Sequence, residues 1–252
     1  MVNKLGLSFS STKELNHIIN NVLPGHPAFQ HCEVVIGGET LEFYHHNIIS
    51  CIRSIYGNPK YTQDLVVAPE WHYTDQGRSE HIYSEMHTGD WWWAVQVRTI
   101  LDVEYTVLTL GCFKQTSLKT HSLGATVVLL IISSNKTQLT HFGNKTAYPV
   151  YLTIGNILKN ICCKPSRHAQ VLLGYIPTTK LKGLANQAGQ CCAIANLYHG
   201  CMQAILDPIS AVGETGIAMM SRDGIWQWCH PIFALFVGDY PEQVLVTCTY
   251  NS

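Results

Sequence analysis

Ten cysteines and thirteen histidines in 252 residues raise metal binding as the first chemistry to weigh. Cys162-Cys163 and Cys191-Cys192 are adjacent pairs, and the chain has no Cys-x-x-Cys. Adjacent side chains diverge on a strand and sit about 100° apart on a helix, so such a pair rarely supplies two corners of a tetrahedral zinc site. The thiols read as buried or incidental, and His45-His46 as a polar strand or loop pair. A second chemistry is contact with phosphate. Asn156 to Gly183 carries Lys159, Lys164, Arg167, Lys180 and Lys182 and no acid, with Lys145 just upstream. These six residues are DNA-contact candidates, or else a solvated face. The third is carboxylate chemistry. Asp239 follows an apolar run in Gly238-Asp239-Tyr240-Pro241-Glu242, and Asp223 in Ser221-Arg222-Asp223-Gly224 reads as a turn former.

Bulk composition limits what these groups can serve. Apolar residues make up 46% of the chain, enough for a substantial core, and charged residues 13%, about half the usual share. Sixteen Lys and Arg against seventeen Asp and Glu give a net charge of -1, which excludes a strongly basic nucleic-acid binder at the level of whole-chain charge. The longest apolar run, Ala125 to Ile132, is far short of the ~20 residues of a bilayer span, so no membrane partner is expected. Lys4, Lys13 and Glu14 occupy the region where a signal peptide needs an apolar stretch. The expected setting is therefore reducing, where disulfides are rare, and no small-molecule cofactor is expected.

The elements that position these groups follow from periodicity. Residues 1–30 read as a weakly ordered arm with a short helix over Thr12 to Val22. Residues 31–96 read as an α+β region: a hairpin turned at Gly37-Gly38, a helix over Ile48 to Tyr56, and a helix carrying Trp91-Trp92-Trp93. Three adjacent tryptophans cannot share one core, so either two rings are buried or some are free to stack on DNA bases. From Gly124 the pattern sharpens. Ala125 to Ile132 is apolar and β-branched throughout, as in a central strand covered on both faces. Further strands are expected over Ala147 to Ile154, Gln170 to Ile176, Ile217 to Met220 and Ile232 to Val237. Apolar residues from Leu184 to Ile205 recur at helical spacing, which predicts a long helix ending before Pro208.

Three strands, a long helix and a further strand is the order of a ribonuclease-H-like core, although a generic α/β sheet reads similarly. In that core the outer ends of the first and last strands each offer a carboxylate, and the pair holds two Mg²⁺ ions about 3.5–4 Å apart. Here those ends are Asn135 and Asp239.

Four segments carry a family resemblance: Tyr83 to Trp93 (Tyr-Ser-Glu-Met-His-Thr-Gly-Asp-Trp-Trp-Trp), Ile131 to Thr140, Asn144 to Ile157, and Phe236 to Gln243. Together they closely resemble the Plavaka transposases, a family of the Kyakuja-Dileera-Zisupton group of DNA transposons abundant in mushroom-forming fungi. The resemblance is loose over 31–96 and close over 124–247. It implies a nuclear cut-and-paste transposase acting on DNA through an Asp-Asp-Glu set with Mg²⁺. Carried over by position, the first Asp falls at Asn135, the second at Asp239, which is the one acidic metal ligand, and the Glu beyond Ser252. Asp223 matches another acidic position of the family, which implies a place near the site, against its reading as a turn former.

Where the chain departs from the family, it reads as a degenerate and truncated copy. An amide at Asn135 keeps a carbonyl oxygen but loses the charge that two close divalent ions require, so catalysis is expected to be negligible and Mg²⁺ binding weak or lost. Cys162-Cys163, Gln190-Cys191-Cys192 and Trp226-Gln227-Trp228 stand where the family tends to carry arginine, as expected from decay of CpG codons. The stretch 97–123 resembles nothing in the family and reads as an insertion or a retained intron. Residues 124–252 then form an incomplete core, with exposed apolar surface and self-association expected. A relic without activity and a domesticated DNA- or protein-binding module are the two resulting function classes.

Overall fold

The computed structural model describes residues 11–21, 27–101, 125–140, 145–179, 181, 183, 186–221 and 223–249. The helix expected near the start is α1 (Thr12–Asn21). Gly37 and Gly38 both take positive φ, 57° and 81°. A two-residue turn between right-twisted strands requires that, and Gly supplies it without a Cβ clash. β1 (Phe29–Ile36) and β2 (Glu39–His46) therefore pair antiparallel along their full length. Asn47 then caps α2 (Ile48–Tyr56) by accepting the Ser50 N–H at 3.1 Å, and its Ile48, Cys51, Ile52 and Ile55 are buried on one face.

The central strand is β3 (Thr126–Ser134), and alternation along it builds two cores. Val128, Leu130 and Ile132 join the larger cluster with α2 and with α5 (Gln187–Thr215). Val127 and Leu129 face the other way, against Trp92 and Val95 of α3 (Asp90–Leu101). Trp92 is fully buried, Trp91 is exposed, and Trp93 is half-buried with its ring stacked on Trp71 at 5.2 Å. Two of the three rings thus serve packing.

After β3, a two-residue pair of strands, β4 (Thr137–Gln138) and β5 (Thr146–Ala147), leads into β6 (Pro149–Ile154). The single strand expected from Ala147 is divided at Tyr148, whose carbonyl accepts the Ile176 N–H instead. A short helix α4 (Lys159–Cys162) precedes β7 (Val171–Tyr175). β8 (Ile217–Met220), β9 (Trp226–Val237) and α6 (Tyr240–Thr247) complete the fold. The seven-stranded sheet runs β1-β2-β7-β6-β3-β9-β8. β6 pairs antiparallel with β3 on one side and β7 on the other, and β9 pairs parallel to β3 after the α5 crossover. The N-terminal hairpin extends this same sheet through β2 and β7, so residues 31–96 and 124–252 share one core.

One boundary needs correction. The long helix does not stop before Pro208 but continues to Thr215. Pro208 removes one N–H and crowds the preceding turn, yet Ile209 and Gly213 beyond it are buried in line with Cys201, Met202, Ile205 and Leu206. Continued burial of the apolar face outweighs the lost bond. Lys180, Lys182, Leu184, most of the 97–123 stretch and residues 250–252 lie outside the described residues.

Candidate functional site at the ends of β3 and β9

β3 and β9 pair parallel, and beyond a one-residue shift at Leu130/Ile131 Ser133 stands opposite Val237. Asn135 and Asp239 each follow two residues later, so the topology brings these two sequence-singled residues to neighbouring strand ends. Both are exposed. The chain leaves β9 through Gly238, where a Cβ would stand 2.8 Å from the Glu242 Cβ and 2.8 Å from the Phe236 ring. Only glycine lets α6 start so close to the strand.

Asp239 caps α6, its Oδ1 accepting the Glu242 N–H at 3.2 Å. Glu242 is itself 6% exposed and ties α6 to the end of β3. Its Oε1 accepts the Lys136 N–H at 3.2 Å, and its Oε2 accepts the Tyr148 hydroxyl. Burial, and then the bond to Glu242, push the Tyr148 phenol well above its ordinary range. Behind it the Tyr198 ring lies 5.6 Å from Tyr148, and the Tyr198 hydroxyl meets Ser134 Oγ at 3.3 Å. Burial raises the Tyr198 phenol as well. These contacts hold the two strand ends rigidly, with Asn135 and Asp239 on the solvent side.

The donors present do not fit a pair of Mg²⁺ ions. Mg²⁺ needs hard, preferably charged oxygens in near-octahedral array. Asn135 offers one neutral carbonyl oxygen, one oxygen of Asp239 is engaged as a helix cap, and both oxygens of Glu242 are engaged internally. No phosphodiester step follows from such a set. Asp223 is not brought here. It stands at the opposite end of the twelve-residue β9, about 40 Å away along the strand. There it shapes the Ser221–Ile225 turn, its Oδ1 accepting the Ser221 hydroxyl and the Ile225 N–H, with Gly224 at φ +80°.

The basic candidates divide by what they touch. Arg167 pairs with Asp64 at 3.2 Å and reaches the Lys60 carbonyl, and the Lys159 ammonium donates to the Ser84 carbonyl at 2.7 Å. Both therefore fasten the chain to itself. Lys145 and Lys164 are exposed, and their side chains make no hydrogen bond or ion pair among the described residues.

The motif segments meet one another in space. Asn156, 1% exposed, sits two residues past the end of β6 and continues its ladder with its side chain. Its Oδ1 accepts the Leu129 N–H at 2.9 Å, and its Nδ2 donates to the Val127 and Val66 carbonyls at 3.0 Å each. A Cβ on Gly155 would lie 2.5 Å from the Met86 sulfur. Glu85 accepts the Lys159 N–H at 3.1 Å. Much of what the motifs specify is thus the docking of residues 66–93 onto β3 and β6.

Two groups escaped sequence reasoning. Glu242 was visible only as a neighbour of Asp239, and nothing in its spacing marks it as buried. Glu70, His72 and His87 converge across a gap of fifteen residues in an aperiodic loop, a separation that no local pattern reveals.

A family model described as Plavaka transposase matches residues 9–252. No curated protein and no solved structure matches the chain.

Proposed function

We propose that this chain, which belongs to the Plavaka transposase family, is a remnant of a Mg²⁺-dependent cut-and-paste DNA transposase that no longer cuts its substrate. The observation that carries this reading is the parallel pairing of β3 with β9, which places Asn135 beside Asp239. Three antiparallel strands, a long helix and a parallel fourth strand are the expected arrangement of a ribonuclease-H-like nuclease core, and this topology supports that assignment. Such a core needs two carboxylates at these ends, and one of them is an amide. Mg²⁺, when bound by an intact set, would polarise the phosphate and activate the attacking oxygen. Asp239 can offer it one oxygen and little else. The test is incubation of the purified chain with labelled duplex DNA and Mg²⁺. The proposal expects no strand cleavage above that of an Asp239→Asn variant. Cleavage abolished by that single change would refute the loss of activity.

A second reading, a DNA-binding module without catalysis that acts in the nucleus, is favoured by the exposed and uncommitted Lys145 and Lys164. Each phosphate contact contributes about one unit of slope in log K against log salt. Fluorescence anisotropy over a salt series should then show binding whose slope falls by about two in a Lys145→Ala, Lys164→Ala variant. A folded chain that binds no duplex at low salt would leave only the inert relic. Self-association belongs to both readings, supported by the exposed Met220, Trp226, Leu235 and Val237 on β8 and β9.

A further inference from the structure

The loop between α2 and α3 is a distorted hairpin whose two arms are held by backbone bonds. The Thr74 N–H donates to the Glu80 carbonyl at 3.1 Å, Ile82 to His72 at 2.8 Å and Glu70 to His87 at 2.8 Å. Glu70 and His72, two apart on an extended arm, project to the same side. His87 faces them from the other arm. One carboxylate oxygen of Glu70 and one ring nitrogen each of His72 and His87 all lie within 4.8 Å of one another. The Glu70 Oε2 to His72 Nε2 distance is 3.0 Å, and the His87 ring meets the His72 ring edge-on at 5.5 Å between centroids.

These dimensions are close to those of a metal centre. With ligand distances of about 2.0–2.1 Å, the corners of a zinc tetrahedron stand about 3.3 Å apart. Rotation of the half-exposed Glu70 and His72 side chains closes the remaining gap. His87, 6% exposed, is the buried member of the three.

We propose that Glu70, His72 and His87 bind one divalent transition-metal ion of the zinc class, with water completing the coordination from the exposed side. Two imidazoles and one carboxylate suit Zn²⁺ or Co²⁺ and poorly suit Mg²⁺. The ion clamps the two arms of the loop. It thereby fixes Trp71, which lies between two ligands and stacks on Trp93 of α3.

The test is isothermal titration of ZnCl₂ into the full chain freed of metal, followed by the visible spectrum of the Co²⁺ form. One equivalent should bind, and the Co²⁺ spectrum should be that of a low-coordinate site. Glu70→Gln and His72→Ala alter exposed side chains and should keep the fold by circular dichroism. Each should weaken Zn²⁺ at least by the ten- to hundredfold that loss of a mere outer-shell partner costs. Cys248→Ser, which removes the Cys248–His199 contact at 3.4 Å, should leave the affinity unchanged. Zn²⁺ should also raise the melting temperature of the native chain and not of His72→Ala. Absence of stoichiometric uptake, or uptake indifferent to both loop variants, overturns the site. Uptake that depends on them without a rise in melting temperature overturns the clamp.

Discussion

Replacing Asn156 with alanine tests whether the family's motif segments act by docking one loop onto the central strand. The substitution strips partners from three backbone groups at once: the Leu129 N–H, the Val127 carbonyl and the Val66 carbonyl. Val127 and Leu129 are fully buried, so water cannot replace the lost amide there. Each orphaned buried group costs about 1–3 kcal/mol, while half-buried Val66 can recover part of its loss from solvent. The sum is about 4 kcal/mol, a large share of the roughly 5–15 kcal/mol that stabilises a domain. At 2–4 °C per kcal/mol for a chain of this size, the melting temperature should fall by about 8–16 °C. Asn156→Asp should be no better, because it retains the acceptor but turns a charge toward two carbonyls. Urea titration followed by tryptophan fluorescence gives the free energy directly, with Asn135→Ala as an exposed control expected within about 0.5 kcal/mol of the native chain. An Asn156→Ala chain as stable as that control would refute the ladder-extension argument.

Other consequences follow from burial and backbone chemistry. Glu242→Ala should destabilise by about 2–4 kcal/mol in the same assay, since it orphans the Lys136 N–H and the Tyr148 hydroxyl. Burial pushes the Cys51 and Cys201 thiols up to about 12 and Cys229 to about 11. A thiol reagent at pH 8 should therefore label the exposed Cys32, Cys163, Cys191, Cys192 and Cys248 rapidly, and those three only on unfolding. His230 is fully buried with its pKa lowered by desolvation, so the unfolded chain binds more protons as pH drops below about 6.5. Stability should be highest above that pH and decline below it, and His230→Gln should flatten the decline. Pro208→Ala should stabilise the chain by about 1 kcal/mol or more, because it restores a helical bond without altering the buried face.

Local signals were legible wherever the chemistry is local. The Gly37-Gly38 turn, the helix over Ile48 to Tyr56 and the doubly covered strand after Gly124 are each written in a few adjacent residues. The parallel pairing of β3 with β9 was expected from likeness to a ribonuclease-H-like element order, an order that a generic α/β sheet shares. The helix end at Pro208 was misjudged because proline is a local penalty and the burial of Ile209 and Gly213 is a tertiary gain. Arg167 and Lys159 carried the right charge for phosphate, and only the fold shows them engaged with Asp64 and Ser84. Likewise Glu242 is exposed to no sequence test, since its partners are contributed by the start of the β4 segment and by Tyr148. The histidine pair on the two arms of the loop is close only through backbone bonds that no periodicity encodes.

The most direct measurement of the central claim is a Mn²⁺ titration followed by electron paramagnetic resonance, made in a His72→Ala background so that the loop ligands are silent. If Asn135 stands where a metal-binding carboxylate is needed beside Asp239, Asn135→Asp should tighten Mn²⁺ by at least about tenfold, and Asp239→Asn added to it should abolish the gain. An Asn135→Asp chain that binds Mn²⁺ no better than its parent, or one whose gain survives Asp239→Asn, would contradict the pairing of these two strand ends as the transposase's former metal site.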